Sequence, residues 1–256
     1  MKVVILAGGY GTRIAEETEF RPKPMVEIGG MPILWHIMKE YSYYGHNDFI
    51  ICAGYKQEMI KEWFNNYYMR YSDITFDMRN NNAITYHEMP SEPWRVTVVD
   101  TGLDTMTATR IKKVEKYIGK EAFLLTYGDG VCDVNISDTI DFHHEHNKIA
   151  TITAVKKPQD KGVLEITKEL TVKAFREKSV NDSALISAGY MVLEPSIFKY
   201  IDDNTSLELD VLPKLAQDNE LMSYVHEGYW QCMDTNREKI ELESLLKQGK
   251  APWIKW

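Results

Sequence analysis

The chain has 256 residues, of which 44% are hydrophobic and 27% charged, a balance that supports a buried core and excludes a disordered chain. A formal net charge of -8 argues against a nucleic-acid binder, which needs a basic face or stripe. No apolar stretch reaches signal-peptide or membrane-spanning length, so no membrane partner is expected and the protein reads as cytoplasmic.

Residues 3–7, VVILA, predict a strand that breaks into a glycine-rich loop. A helix is expected over 31–45, a second strand over 48–55 and a helix over 56–68, the rhythm of a parallel sheet covered by helices. Segments 74–78 and 84–88 form a hairpin around Asn80-Asn81-Asn82. Residues 96–101 predict a strand, 106–117 a helix, 122–127 a strand, 136–146 a helix and 150–155 a strand. Shorter strands follow in GVLEI, TVKAF and ISAGYMVL, then helices near 207–217 and 236–248. With no linker, repeat or low-complexity segment, 1–256 reads as one domain with an appended β-rich part.

Three glycines after the first strand suggest a nucleotide cradle. The dinucleotide pattern GxGxxG fails at Ile14, and no GK[ST] completes a P-loop. Gly8, Gly9 and Gly11 let backbone N–H groups approach an anion, while Arg13 and Lys23, the latter between Pro22 and Pro24, add charge suited to a triphosphate. Asp129, in TYGDGV at the end of a buried strand, sits where open α/β sheets bind ligands. It is a candidate ligand for Mg²⁺, a hard ion held by carboxylates and phosphates, and Asp234 in YWQCMDT is the plausible second carboxylate.

LAGGYGTR at 6–13 together with RPKP at 21–24 resembles the sugar-phosphate nucleotidyltransferase family, the nucleoside-diphosphate-sugar pyrophosphorylases. KPMVEIGG at 23–30, PILWHIMK at 32–39, EPWRVTVVDTG at 92–102, WQCMDT at 230–235 and GKAPW at 249–253 are similar to its glucose-1-phosphate cytidylyltransferase branch. The resemblance implies a Rossmann-like three-layer α/β fold with a mixed central sheet and a small β-rich sugar-binding part. It implies transfer of a cytidylyl group from CTP to a sugar 1-phosphate, most closely glucose 1-phosphate, with Mg²⁺ and in a homo-oligomer. Residues 1–135 would mainly bind nucleotide and 136–256 mainly sugar phosphate. On the nucleotide the resemblance places Leu6, Ala7, Gly8, Gly9, Tyr10, Gly11, Thr12, Arg13, Lys23, Thr105, Arg110 and Gly128. On the sugar phosphate it places Gly162, Glu177, Lys178, Ser187, Gly189 and Glu208. Asp129 and Asp234 match the metal ligands, and with Arg13 and Lys23 they form the catalytic set.

Departures from the family pattern gather in the acceptor half, at 158–163, Ser179, 187–189 and 207–212, and leave another phosphorylated sugar, polyol or phosphonate as an alternative acceptor. A nucleotide-sensing regulatory subunit is the alternative from another class; it would not need Asp129, Asp234 and Lys178 together. His143, His144 and His146 read as a solvated helix end rather than a metal site, and most of the tryptophans and tyrosines as packing. Cys52, Cys132 and Cys232, widely spaced and without a CxxC pair, read as buried reduced thiols.

Overall fold

The apolar run at the start of the chain becomes β1 (Lys2–Ala7), and its side chains alternate between two cores in the computed structural model. Val3, Ile5 and Ala7 enter one cluster, Val4 and Leu6 the other. A strand buried on both faces is apolar throughout, which is why VVILA shows no polar alternation. The structure describes residues 1–88, 92–157, 163–166, 172–176 and 184–256.

Six further strands complete the main sheet: β2 (Asp48–Ala53), β3 (Arg95–Asp100), β4 (Phe123–Tyr127), β5 (Ala150–Lys157), β6 (Ala184–Leu193) and β7 (Leu221–His226). Their order is β7-β5-β6-β4-β1-β2-β3. Only β6 runs against its neighbours, pairing antiparallel with β4 and β5; every other pair in the sheet is parallel. One face packs on α1 (Ile33–Tyr43), α2 (Gln57–Asn65), α4 (Ile136–His146) and α5 (Asn236–Lys247). The other packs on α3 (Thr107–Lys113) and the helical turns between Pro195 and Gln217. This is the three-layer α/β fold with a mixed sheet expected from the sequence. Val163–Ile166 and Val172–Arg176 pair as a separate antiparallel unit, the expected β-rich part.

Several elements differ from the sequence reading, among them the helix expected over 56–68, which ends at Asn65 and restarts as Tyr67–Tyr71. The helix expected over 106–117 ends at Lys113 and restarts as Glu115–Ile118 after Val114 leaves helical geometry. The helix expected over 207–217 begins as a π-helical turn, Leu207–Val211. Pro213 has no N–H to give and its ring crowds the carbonyl four residues back, so the chain widens before the α-helical turn. β7 has no counterpart in the sequence reading; as an edge strand it is half exposed and carries no continuous apolar run.

The chain leaves β1 toward β2 and β3, then returns to the far side of β1 as β4. Connections diverge there, opening a crevice beyond the carboxyl ends of β1 and β4.

Candidate functional site

A cavity of about 390 Å³ fills that crevice. Leu6, Ala7, Gly8, Gly9, Gly11, Thr12 and Arg13 line one side, and Thr105, Arg110 and Gly128 face them. Gly11 has φ 68, a left-handed conformation that lets the loop fold back without a Cβ clash. Gly128 N donates to the Leu6 carbonyl at 2.9 Å, fastening the two strand ends together. Tyr10 alone of the expected loop residues turns away, its hydroxyl donating to Asp104 at 2.7 Å. A second cavity of about 380 Å³ adjoins the first, shares Arg13, Tyr127, Asp129 and Glu208 with it, and is closed by Ser187, Gly189 and Trp230.

At the junction lies a charge cluster. Lys23 begins a short 3-10 turn between two prolines, and its ammonium donates to Asp129 Oδ2 at 2.7 Å and Asp234 Oδ1 at 2.6 Å. Arg13 Nη1 donates to the other Asp234 oxygen, also at 2.6 Å. Burial works against the Lys23 charge, yet the two carboxylates outweigh it and hold the ammonium above its usual range. Burial likewise pushes the Asp234 carboxyl up, and the Lys23 and Arg13 cations overcome it, leaving the group below the ordinary carboxylate value.

Asp234 is placed by local structure on both sides. Thr235 caps α5 in a reciprocal capping box with Glu238, and the same Glu238 carboxylate accepts from the Asp234 backbone N–H at 2.8 Å. Before it, Trp230–Cys232 pairs antiparallel with Gly130–Cys132, and Met233 N donates to the Asp129 carbonyl at 2.8 Å. One short ribbon therefore ties the two carboxylates together. Both are hard oxygen donors converging on a single cation, so the site suits Mg²⁺ by donor chemistry and by charge.

Other expected residues fall out differently. Arg110 lines the nucleotide-sized cavity, but its guanidinium is committed to the 101–103 loop, reaching Thr101 Oγ1 at 2.7 Å and the carbonyls of Gly102 and Leu103 at 2.6 and 2.9 Å. Glu208 accepts from Tyr127, from Thr107 at 2.7 Å and from Ser206 at 2.8 Å, and these donors hold its carboxyl low despite burial. Gly189 takes φ 81 where a Cβ would stand 2.5 Å from the Tyr127 ring, so only glycine fits. Gly162, Glu177 and Lys178 lie outside the described residues. Tyr127 and Trp230 were missed as cavity residues although each belongs to a stretch singled out in the sequence; a tyrosine ending an apolar strand and a tryptophan in a short aromatic run both read as packing. Trp230 Nε1 in fact donates to the Ala188 carbonyl at 2.8 Å.

The histidine reading needs correction. His143 is buried rather than solvated, with Nδ1 2.8 Å from Thr151 Oγ1, because the end of α4 packs on β5. Among the described residues the one group of three side chains spaced to ligate a metal is Cys132, Asp133 and His226. There His226 Nε2 lies 2.7 Å from Asp133 and burial pushes the Cys132 thiol far up, away from the thiolate a metal requires. Cys52 and Cys132 are buried free thiols as expected, while Cys232 is only half-buried. No helix among the described residues is long and apolar enough to cross a membrane.

The family model described as "Nucleotidyl transferase" matches residues 2–237. Glucose-1-phosphate cytidylyltransferase of Salmonella typhimurium is 54% identical over 258 aligned positions, covering 100% of both chains, and the Salmonella typhi protein of the same name matches equally. Among solved structures, HddC from Yersinia pseudotuberculosis complexed with GMP-PN superimposes with a TM-score of 0.69 at 24% identity, over 96% of this chain and 99% of that one.

Proposed function

Because this chain belongs to the nucleotidyl transferase family, we propose that it transfers the cytidylyl group of CTP to α-D-glucose 1-phosphate, giving CDP-glucose and pyrophosphate. Two lines support the substrates: full-length similarity to relatives of that name, and two adjoining cavities sized for a nucleotide and a sugar phosphate. The observation that carries the chemistry is Lys23 bracketed by Asp129 and Asp234 where those cavities meet.

An oxygen of the sugar phosphate attacks the α-phosphorus in line and the pyrophosphate leaves. A phosphate monoester is already anionic at neutral pH, so the obstacle is repulsion between two polyanions rather than proton removal. Arg13 and Lys23 hold the triphosphate, and the N–H groups of the 8–13 loop donate to its oxygens at close range. Lys23 uses two of its three ammonium protons on the carboxylates and has a third for phosphate. Asp129 and Asp234 would hold Mg²⁺, which when bound neutralises phosphate charge and aligns it. Thr105, Arg110 and Gly128 surround the nucleoside, Arg110 by shaping the 101–105 loop. Ser187, Gly189 and Glu208 belong to the acceptor side, with Lys178 on its phosphate.

The same proposal includes a homo-oligomer working in the cytoplasm, where free thiols persist. The hairpin Asp73–Asp77 with Ala83–His87 exposes Phe76, Met78, Ile84 and Tyr86, more apolar surface than a lone two-stranded ribbon sustains in water. Light scattering reads the assembly state; a monomer at micromolar concentration would remove that part.

The decisive assay is a matrix of five nucleoside triphosphates against a panel of phosphorylated sugars and polyols, followed by Mg²⁺-dependent pyrophosphate release. CTP with glucose 1-phosphate as the best pair is expected. A different best pair replaces the substrates, and no release with any pair favours a nucleotide sensor.

A further inference from the structure

Glu40 sits on the inner face of α1, 1% exposed, in a place where a carboxylate has little to gain. No hydrogen bond of normal geometry reaches its Oε1 among the described residues, and the Cys132 backbone N–H near the carboxyl only partly offsets its burial. The Lys255 ammonium that acts on it electrostatically is bonded elsewhere, to Tyr44 Oη and the Asp133 carbonyl at 2.7 Å each. An ionised carboxylate buried without a bonded cation is among the most costly groups in a protein, and it escapes that cost by taking up a proton. Burial indeed pushes this carboxyl well up.

The count of protons on its partner points the same way. Tyr190 Oη lies 2.8 Å from Glu40 Oε2 and 3.1 Å from the Gly130 carbonyl, and a phenol has one proton to give. With Glu40 ionised, two acceptors compete for that proton and one buried contact goes unmade. With Glu40 protonated, the order closes: Glu40 donates to Tyr190, and Tyr190 donates to Gly130. The Tyr190 ring is also clamped, stacked on Tyr41 at 5.8 Å between centroids and 12° between planes.

Gly130 directly follows Asp129 and opens the ribbon that pairs with Trp230–Cys232. We propose that Glu40 serves as a neutral carboxylic acid which, through Tyr190, positions this ribbon and hence the Asp129 and Asp234 carboxylates. It is a positioning residue, since nothing places it in contact with either cavity. The inference rests on the reading above that those two carboxylates hold the metal.

Three variants and one spectrum test it. Glu40→Gln keeps shape and hands Tyr190 an N–H donor, so its turnover and the Mg²⁺ concentration for half-maximal rate should stay within about twofold of the parent. Tyr190→Phe removes the bond to Gly130 and should raise that Mg²⁺ concentration about tenfold, the scale of one buried hydrogen bond. Glu40→Leu should behave like Tyr190→Phe; if it does not fold, the other two decide. Difference infrared spectra of the intact, Mg²⁺-free protein at neutral pH should contain a protonated-carboxyl carbonyl band that disappears in Glu40→Gln. A missing band, a Glu40→Gln as impaired as Glu40→Leu, or a Tyr190→Phe with parental Mg²⁺ response overturns the inference. Asp129→Asn and Asp234→Asn, measured alongside, keep the two readings apart. If they lose Mg²⁺-dependent turnover while Tyr190→Phe does not, only the positioning role fails. If they keep it, the metal reading fails.

Discussion

Replacing Lys23 by methionine keeps the bulk of the side chain and removes the one cation among the described residues that Asp129 and Asp234 share. Its side chain is only 9% exposed and makes contacts of 2.7 and 2.6 Å, so sealed from water the two would be worth about 1.5–3 kcal/mol each. The carboxylates keep 30% and 21% of their surface, and water reaching them reduces the combined loss to about 2 kcal/mol. For a chain of this size that corresponds to roughly 4–8 °C in Tm. The variant also leaves two carboxylates facing one another with a cation-shaped gap. Millimolar Mg²⁺ should then restore much of the lost Tm, by mass action on the folded state, while raising that of the parent less. Turnover should stay at least about a hundredfold low, because a charged contact to the transition state worth roughly 3–4 kcal/mol is missing. Thermal unfolding with Mg²⁺ or with a chelator, beside pyrophosphate-release kinetics, reads both effects. A Tm indifferent to Mg²⁺ in Lys23→Met would refute the paired-carboxylate cation site; near-parental turnover would remove Lys23 from the chemistry.

Thr235→Ala breaks the capping box and should destabilise by about 1 kcal/mol in denaturant titrations. It should also slow turnover several-fold, because Asp234 shares Glu238 with that cap. Gly189→Ala, forced into φ 81 against the Tyr127 ring, should lose roughly 1–3 kcal/mol, and an unchanged denaturation midpoint would contradict the described turn. The acid limb of stability is set by groups held low in the fold: Asp234 and Glu208 stabilise above their ordinary values of 3.8 and 4.5, and that stability disappears as pH falls through their lower folded values. Asp234→Asn and Glu208→Gln should each flatten that limb. His46, held to about 4 by burial and the nearby amino terminus, adds a loss that begins as pH drops below 6.5, which His46→Gln should abolish.

What the sequence disclosed follows burial geometry. VVILA and DFIICAGY were legible because both faces of β1 and β2 are covered, so their apolar runs are uninterrupted. β7 was not, since an edge strand mixes solvent-facing and packed positions within six residues. Arg13, Lys23, Asp129 and Asp234 could be picked out one by one from glycines, prolines and strand ends, but not their mutual pairing, which spans 106 positions for Lys23–Asp129 and 211 for Lys23–Asp234. Glu40 in HIMKEYSYYG looks like an ordinary solvated helix residue; only the packing of α1 on the Gly130 ribbon reveals otherwise. His143 misled for the same reason: a histidine-rich helix end is polar on paper, and the neighbouring strand makes it internal.

The ribbon joining Asp129 to Asp234 also bears on the order of assembly. Arg13 and Asp234 are separated by 221 positions, and β4 reaches β1 only after the chain has closed the excursion through β2 and β3. Such a long closure carries a large loop entropy, so the glycine loop meets its counter-charges only once that closure has been made. A chain short of that closure presents a basic loop with no paired carboxylates and therefore lacks the proposed metal site. On the proposed function, metal retention would report that the sheet has closed, and a chain trapped short of closure should bind triphosphate weakly and release it unreacted.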